Sequence, residues 1–201
     1  MRIFRHFDDV PGPLKGAVTA VGNFDGVHLG HRALIGEAAR AARAAGRPLA
    51  VLSFEPHPQE FFHALRHPGE AMECFRLTPL RMKARLLADL GVDAFFAVPF
   101  DAAMAARDAD VFVREVLVEG LGVSALVVGE DFVFGKGRGG NLQTLRREGA
   151  RHGFDVTAFH TVPAAGGQKI SSTRIREALQ QGRPLDAAKL AKAADVRIYT
   201  I

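Results

Sequence analysis

The 201-residue chain has one cysteine, one tyrosine and no tryptophan. A single thiol, Cys74, excludes an intrachain disulfide and any multi-cysteine metal site, and fits a reducing compartment. With Tyr199 the only tyrosine and no indole, a base-stacking nucleic-acid surface is poorly supplied. No apolar run reaches membrane-spanning length, and the opening MRIFRHFDDVPGPLKG is charged within its first ten residues. That excludes a secretory signal or membrane span there, so the expected location is the cytoplasm, away from membranes. Charge of one sign is in short excess too. The 26 Lys and Arg exceed the 22 Asp and Glu by four and are scattered through helical segments. Scattered cations read as solvated helix faces, so the expected partners are anionic small molecules and not nucleic acid.

What is present is an ordinary globular balance, 48% hydrophobic and 24% charged, at a length suited to one core. Apolar runs at 17 to 21, 49 to 54, 92 to 100, 123 to 129 and 154 to 162 read as strands. The first four are nearly continuous in hydrophobicity, as in strands buried on both faces. Helical patterns fall at 30 to 45, 78 to 90, 108 to 120, 141 to 152, 172 to 181 and 184 to 194, while 55 to 77 and 129 to 141 read as irregular. This alternation predicts an α/β fold, a parallel sheet of about five strands with helices on both faces, and a ligand site beyond the strands' carboxyl ends. The final DVRIYTI is a β-like scrap with no evident partner.

Four stretches carry candidate chemistry. In GNFDGVHLGHR, residues 22 to 32, glycines permit a sharp turn after the first strand, and the following helix aims N–H groups and its positive dipole end at that turn. His28 and His31, one turn apart, can be metal ligands with Asp25 as a third, structural histidines or phosphate donors; converging dipole, amides and imidazoles favour phosphate. In ISSTRIREAL, residues 170 to 179, Ser171, Ser172 and Thr173 are good helix caps by themselves. Together with Arg174 and Arg176 they form a second anion site, which suggests a polyphosphate held between two helix starts. In VVGEDFVFGKGRGGN, residues 127 to 141, Gly135, Gly137 and Gly140 match GxGxxG only formally, because EDFVF separates them from the strand end. Lys136 and Arg138 there read as a flap over an anion, and Phe132 and Phe134 as core packing or a wall for a flat ring. In SFEPHPQEFF, residues 53 to 62, Pro56 and Pro58 are expected to hold an extended loop presenting His57 with Phe54 or Phe62.

Taken in order, GNFDGVHLGHR, FEPHP, RLTPLRMK, VVGEDFVFGKGRGG and ISSTRIREAL resemble the FMN adenylyltransferase module of bacterial bifunctional riboflavin kinase/FMN adenylyltransferases, from about residue 15 to about 182. The resemblance implies a Rossmann-like nucleotidyltransferase fold, and the reaction ATP + FMN giving FAD and diphosphate with Mg²⁺. It implies roles for His28, His31 and Arg176 at the reacting phosphates, and ATP contacts from Gly22, Asn23, Phe24, Asp25, Gly30, Ser171, Ser172, Thr173 and Arg174. Flavin contacts would fall on Phe54, His57, Phe62, Asp131, Phe132, Phe134, Gly135, Lys136 and Arg138, with Mg²⁺ carried mainly by ATP.

Two departures from the pattern bear on these expectations. Asn141 stands where such sequences usually carry aspartate, and asparagine caps a helix as well. Nothing after Ala194 has room for the riboflavin kinase module, so 1 to 182 is expected as the adenylyltransferase domain and 183 to 201 as a helix and the start of a linker. Riboflavin itself is therefore not an expected substrate of this chain. The competing readings are another adenylyl- or cytidylyltransferase, acting on nicotinate mononucleotide or phosphopantetheine, and a non-catalytic flavin or nucleotide carrier.

Overall fold

The computed structural model describes residues 1–70, 76–160 and 172–196. Its strands are Arg2–Phe4 (β1), Val18–Val21 (β2), Leu49–Glu55 (β3), Ala94–Pro99 (β4), Ala125–Gly129 (β5) and Asp155–Phe159 (β6). They form one sheet in the order β1-β4-β3-β2-β5-β6, with every adjacent pair parallel. Val18 of β2 stands beside Leu49 on one side and Ala125 on the other, which places β2 at the centre.

Both faces of the sheet are covered. Leu52, Phe96, Val98, Leu126 and Val128 pack on one face against Phe112, Val113, Val116 and Leu117 of a π-helical segment, Phe112–Gly120, and against Leu145 of helix Leu142–His152. Val18, Ala20, Val51, Phe95 and Val127 pack on the other against helices Leu29–Ala45 (α1) and Leu80–Asp89. Burial on two sides accounts for strands without polar alternation. The remaining helices in chain order make the last-named α3, after Pro58–Arg66 (α2), followed by Ala102–Ala105 (α4), Ala109–Val111 (α5), Leu142–His152 (α6), Ser172–Gln180 (α7) and Pro184–Ala193 (α8).

The structure departs from the sequence reading at the sheet edge and after β3. A sixth strand, β1, pairs Arg2 with Ala94 at the sheet edge; three residues containing an arginine carry no readable period. The stretch after β3 is a helix and not an extended loop. Pro58 occupies its first turn, where a missing N–H is harmless, and His57 and Glu60 form a reciprocal capping box. Beyond α7, packing continues past residue 182. Ala187 and Ala191 of α8 join Ile175 and Ala178 of α7, Leu77, Ala194 and Val196 in one buried cluster, and Asp195 pairs with Arg32 at 2.8 Å. Of the tail, 197–201 lies outside the described residues.

The chain runs outward from β2 through β3 to β4, then returns to the opposite side of β2 as β5. The order therefore reverses between β2 and β5, and a crevice opens beyond their carboxyl ends. The glycine-rich part of the loop after β5, 135–140, does not line it. Phe134 and Gly140 bridge each other, and the Lys136 N–H donates to the Arg107 carbonyl at 2.7 Å, so the loop folds back against α5. A Cβ on Gly140 would lie 2.6 Å from the Phe134 ring and 2.8 Å from the Ala109 Cβ. Gly140→Ala is therefore expected to lower stability by about 1–3 kcal/mol through overpacking, read from urea unfolding followed by circular dichroism.

Candidate active site

The turn from β2 into α1 takes a conformation that its side chains resist. Phe24 and Val27 have φ of 50° and 40°, beside Gly26 at 83°, and a β-branched residue in this region is strongly disfavoured. Neighbouring segments impose it. The Asp25 carboxylate accepts hydrogen bonds from the N–H groups of Leu77 (3.0 Å) and Thr78 (2.9 Å) and from Arg176 Nη2 (2.6 Å). Gly26 N–H donates to Thr78 Oγ1, and Ser172 Oγ donates to the Asp25 carbonyl at 2.6 Å. On the other side the Asn23 carbonyl accepts from Ser53 Oγ and Lys83 Nζ, each at 3.0 Å.

This turn delivers the two histidines. His28 caps α1, its Nδ1 accepting the His31 N–H at 3.2 Å, which leaves Nε2 as the protonated donor of the neutral ring. The two rings stack with centroids 3.6 Å apart. Burial, aided by the Arg176 charge, lowers the His28 pKa to about 4, against a raising influence from its backbone hydrogen bond and Asp25. Burial likewise holds His31 well below its ordinary range, with His28, Lys83 and Arg176 adding to it. His57 follows the same design at the start of α2. Its Nδ1 accepts the Gln59 N–H at 3.1 Å, and burial, then Arg176, lowers its pKa to about 3. All three imidazoles are neutral donors near pH 7.

They line one cleft of about 580 Å³ at the β2/β5 reversal. Gly22, Asn23, Phe24, Asp25, His28, Gly30 and His31 enter it from the β2–α1 turn, and His57 and Gln59 from beyond β3. Gly129, Asp131 and Phe132 come from the end of β5, Phe159 from β6, and Ser172, Thr173 and Arg176 from α7. Thus the two anion motifs, far apart in sequence, share a cavity.

The remaining expected residues are placed elsewhere. Phe54 is buried in the core against Phe100 and Phe112, and Phe134 against Phe112 and Phe132. Phe62, 42% exposed, packs edge-on against Phe61 and Phe100 outside the cleft. Gly135, Lys136 and Arg138 sit in the folded-back loop, and Arg174 is exposed on α7, two residues from Arg176 and so on another helix face. Ser171 lies outside the described residues. Asn141 caps α6, accepting from Gln143 and Thr144 N–H. The start of α1 also offers fewer amides than its sequence suggests, because the Leu29 N–H donates to the Ala194 carbonyl and the His31 N–H to His28.

Sequence reading missed Gln59, Gly129 and Phe159 in the lining, and the charged residues behind it, Glu55, Arg76 and Lys83. Position beyond a strand end was the signal available for Gly129; Lys83 had none beyond its place in RLTPLRMK. Among the described residues Arg176 is the one Lys or Arg lining the cleft, and no group of three His, Cys, Asp or Glu is placed to hold a metal ion.

A parallel sheet with helices on both faces, a crevice at its reversal point and two candidate anion motifs converging there describe an α/β domain of the nucleotidyltransferase type. A family model described as FAD synthetase matches residues 11–174, and the chain belongs to that family. It is 44% identical over 167 residues to the bifunctional riboflavin kinase/FMN adenylyltransferase of Escherichia coli (strain K12), covering 83% of this chain and 51% of that protein. It is 38% identical over 169 residues to a putative bifunctional riboflavin kinase/FMN adenylyltransferase of Geobacillus thermodenitrificans, covering 84% of this chain and 86% of that one. The chain thus spans about half the length of the Escherichia coli relative. A crystal structure described as a macrolide-efflux protein from Streptococcus pneumoniae superposes with a TM-score of 0.77 at 27% identity, covering 95% of this chain and 59% of that one. Among the described residues of this chain, no helix is long and apolar enough to cross a membrane.

Two expectations follow from the site. Removing Asp25 leaves Arg176 buried without this carboxylate and two N–H groups without an acceptor, so Asp25→Ala should cost about 3–5 kcal/mol in urea unfolding. The histidine shifts set a pH window. The unfolded chain takes up a proton near pH 6.5 while folded His28 waits until about pH 4, so stability is full above 6.5 and falls between those values. Each such proton contributes a slope of about 1.4 kcal/mol per pH unit, and His28→Gln should flatten the measured slope by up to that amount.

Proposed function

We propose that this chain is an FMN adenylyltransferase, joining the adenylyl group of ATP to FMN to give FAD and diphosphate. The observation that carries this reading is the meeting of His28 and His31 with Ser172, Thr173 and Arg176 in one cleft at the sheet's reversal point. A phosphate chain spanning the cleft touches both.

The chemistry asks for positioning and charge management and needs no protein nucleophile. An oxygen of the FMN phosphate attacks the α-phosphorus of ATP in line, the bond from that phosphorus to the bridging oxygen breaks, and diphosphate departs. Each pair of unit negative charges ~4 Å apart repels by about 1 kcal/mol in water and about 4 kcal/mol at an effective dielectric of ~20. The Nε2–H of His28, the His31 ring and the Arg176 guanidinium offset that repulsion and stabilise charge growing on the leaving group. Neutral imidazoles add donors without adding charge, so most positive charge must arrive with the substrate as its Mg²⁺ complex. Asp25 already accepts from the Leu77 and Thr78 N–H groups and from Arg176, so much of its charge is engaged within the protein. Phe132, which lines the cleft with Asp131 and His57, lies half-buried and parallel to Phe134, with centroids 5.5 Å apart, and supplies a flat wall for the isoalloxazine ring.

Chromatography of the purified protein incubated with Mg²⁺–ATP and FMN should show FAD and equimolar diphosphate. Nicotinate mononucleotide or phosphopantetheine in place of FMN should give no adduct. His28→Ala and His31→Ala should each slow FAD formation on the order of a hundredfold to a thousandfold. Near-wild-type turnover in both variants would remove the imidazoles from the mechanism.

A further inference from the structure

Lys83, on α3, lies behind the cleft and does not line it, yet it is only 3% exposed. Its ammonium donates to the Asn23 carbonyl at 3.0 Å and to Glu55 Oε1 at 2.8 Å. Glu55 in turn meets Arg76 at 3.2 Å, Arg76 meets Glu60 at 2.7 Å, and Glu60 accepts the His57 N–H at 3.1 Å. A continuous polar relay thus runs from the turn that carries His28 to the cap that carries His57. We propose that Lys83 is a positioning residue for the transfer reaction, tying the His57 wall of the cleft to the His28–His31 wall and setting the charge behind both.

The bonding pattern separates this role from one of holding the fold together. Without Lys83, Asn23 keeps its bond from Ser53 and Glu55 keeps Arg76, so neither partner is left stranded in the interior. Removing one partner of a buried ion pair is costly when it strands the other charge, but Glu55 is 15% exposed and stays paired with Arg76, so Lys83→Met leaves no uncompensated carboxylate. What the replacement removes is the link between the walls and a positive charge facing the imidazoles. His31 is faced by His28, Lys83 and Arg176, and His57 by Arg176, Asp25, Lys83 and Arg76. Each of these positive charges disfavours protonation of the rings, whereas His28 responds to Arg176 and Asp25.

This inference rests on the adenylyltransferase reading for its kinetic arm only. Lys83→Met and Lys83→Gln, the latter keeping a donor without the charge, are compared with Lys83→Arg. Ring titrations followed by NMR on the free protein should show the His31 and His57 midpoints rising in the Met and Gln variants, with His28 moving less, and returning toward wild type in Lys83→Arg. FAD formation should slow by up to about a hundredfold in Lys83→Met through misplacement of the donors, with urea stability retained, and recover in Lys83→Arg. Unchanged His31 and His57 titrations would overturn the proposal. So would wild-type turnover in Lys83→Met, or failure of both the Met and Gln variants to fold. If the wild-type chain makes no FAD, the functional reading fails and the titrations alone decide the role of Lys83.

Discussion

A single buried carboxylate organises this site. Asp25 sits at the tip of the β2–α1 turn and accepts from three donors, two on the Leu77–Thr78 backbone and one on Arg176. Those donors belong to segments far apart in sequence, so this side chain, together with the packing of Leu77 on Ile175 and Ala178, sets the mutual placement of the β2–α1 turn, the approach to α3 and the start of α7. Arg176 is held by the same contact at the orientation in which it lines the cleft. The pair is nearly solvent-free, and in such a place the attraction is paid for largely in lost hydration. Its contribution is therefore placement more than stability.

Placement is needed because the turn is strained. Residues in the left-handed region cost on the order of 1–3 kcal/mol each, and Phe24 and Val27 both occupy it. Burying a phenylalanine or valine side chain returns about 1.5–3 kcal/mol, and both are essentially inaccessible, with the Phe24 ring edge-on to His31. The two terms nearly cancel. What remains to hold the turn is its hydrogen bonding, from the Gly26 N–H to Thr78 Oγ1, from Ser172 to the Asp25 carbonyl and from Ser53 and Lys83 to the Asn23 carbonyl. The C-terminal helices α7 and α8 matter for the same reason, since Val196 packs over Gly26 and Ala194 accepts the Leu29 N–H at the head of α1.

How much of this was legible depended on how local each signal was. His28, His31 and Arg176 are carried by short motifs whose spacing survives in any helix that follows a strand, and they were readable. Phe54 was not, because LAVL is apolar throughout and gives no phase to say which face the ring two residues on takes; the structure turns Ser53 to the Asn23 carbonyl and Phe54 into the core. Phe134 and the GKGRGG loop look like a flap by composition, yet tertiary packing on Arg107 and Ala109 decides where they lie. Lys83 resembles any solvated helix lysine until α3 is docked behind the ends of β2 and β3. Prolines misled in the opposite way, since Pro58 starts α2 instead of preventing it.

The choice of neutral imidazoles over lysines is the remaining step. Three histidines line a cleft whose described cations are limited to Arg176, and two of them have their tautomers set by backbone N–H groups at helix starts. Fixed neutral donors bind phosphate oxygens less tightly than ammonium groups would. In the proposed reaction they also add no charge that must be balanced once diphosphate leaves. A site crowded with lysines would bind substrate and departing diphosphate alike, deepening the ground state along with the transition state, and binding spent equally on both does not speed the chemical step. Donors whose direction is set before substrate arrives can instead act where charge grows, on the leaving group, with little reorganisation during the reaction. The burial that depresses the histidine pKa values is thus the same burial that keeps these donors aligned.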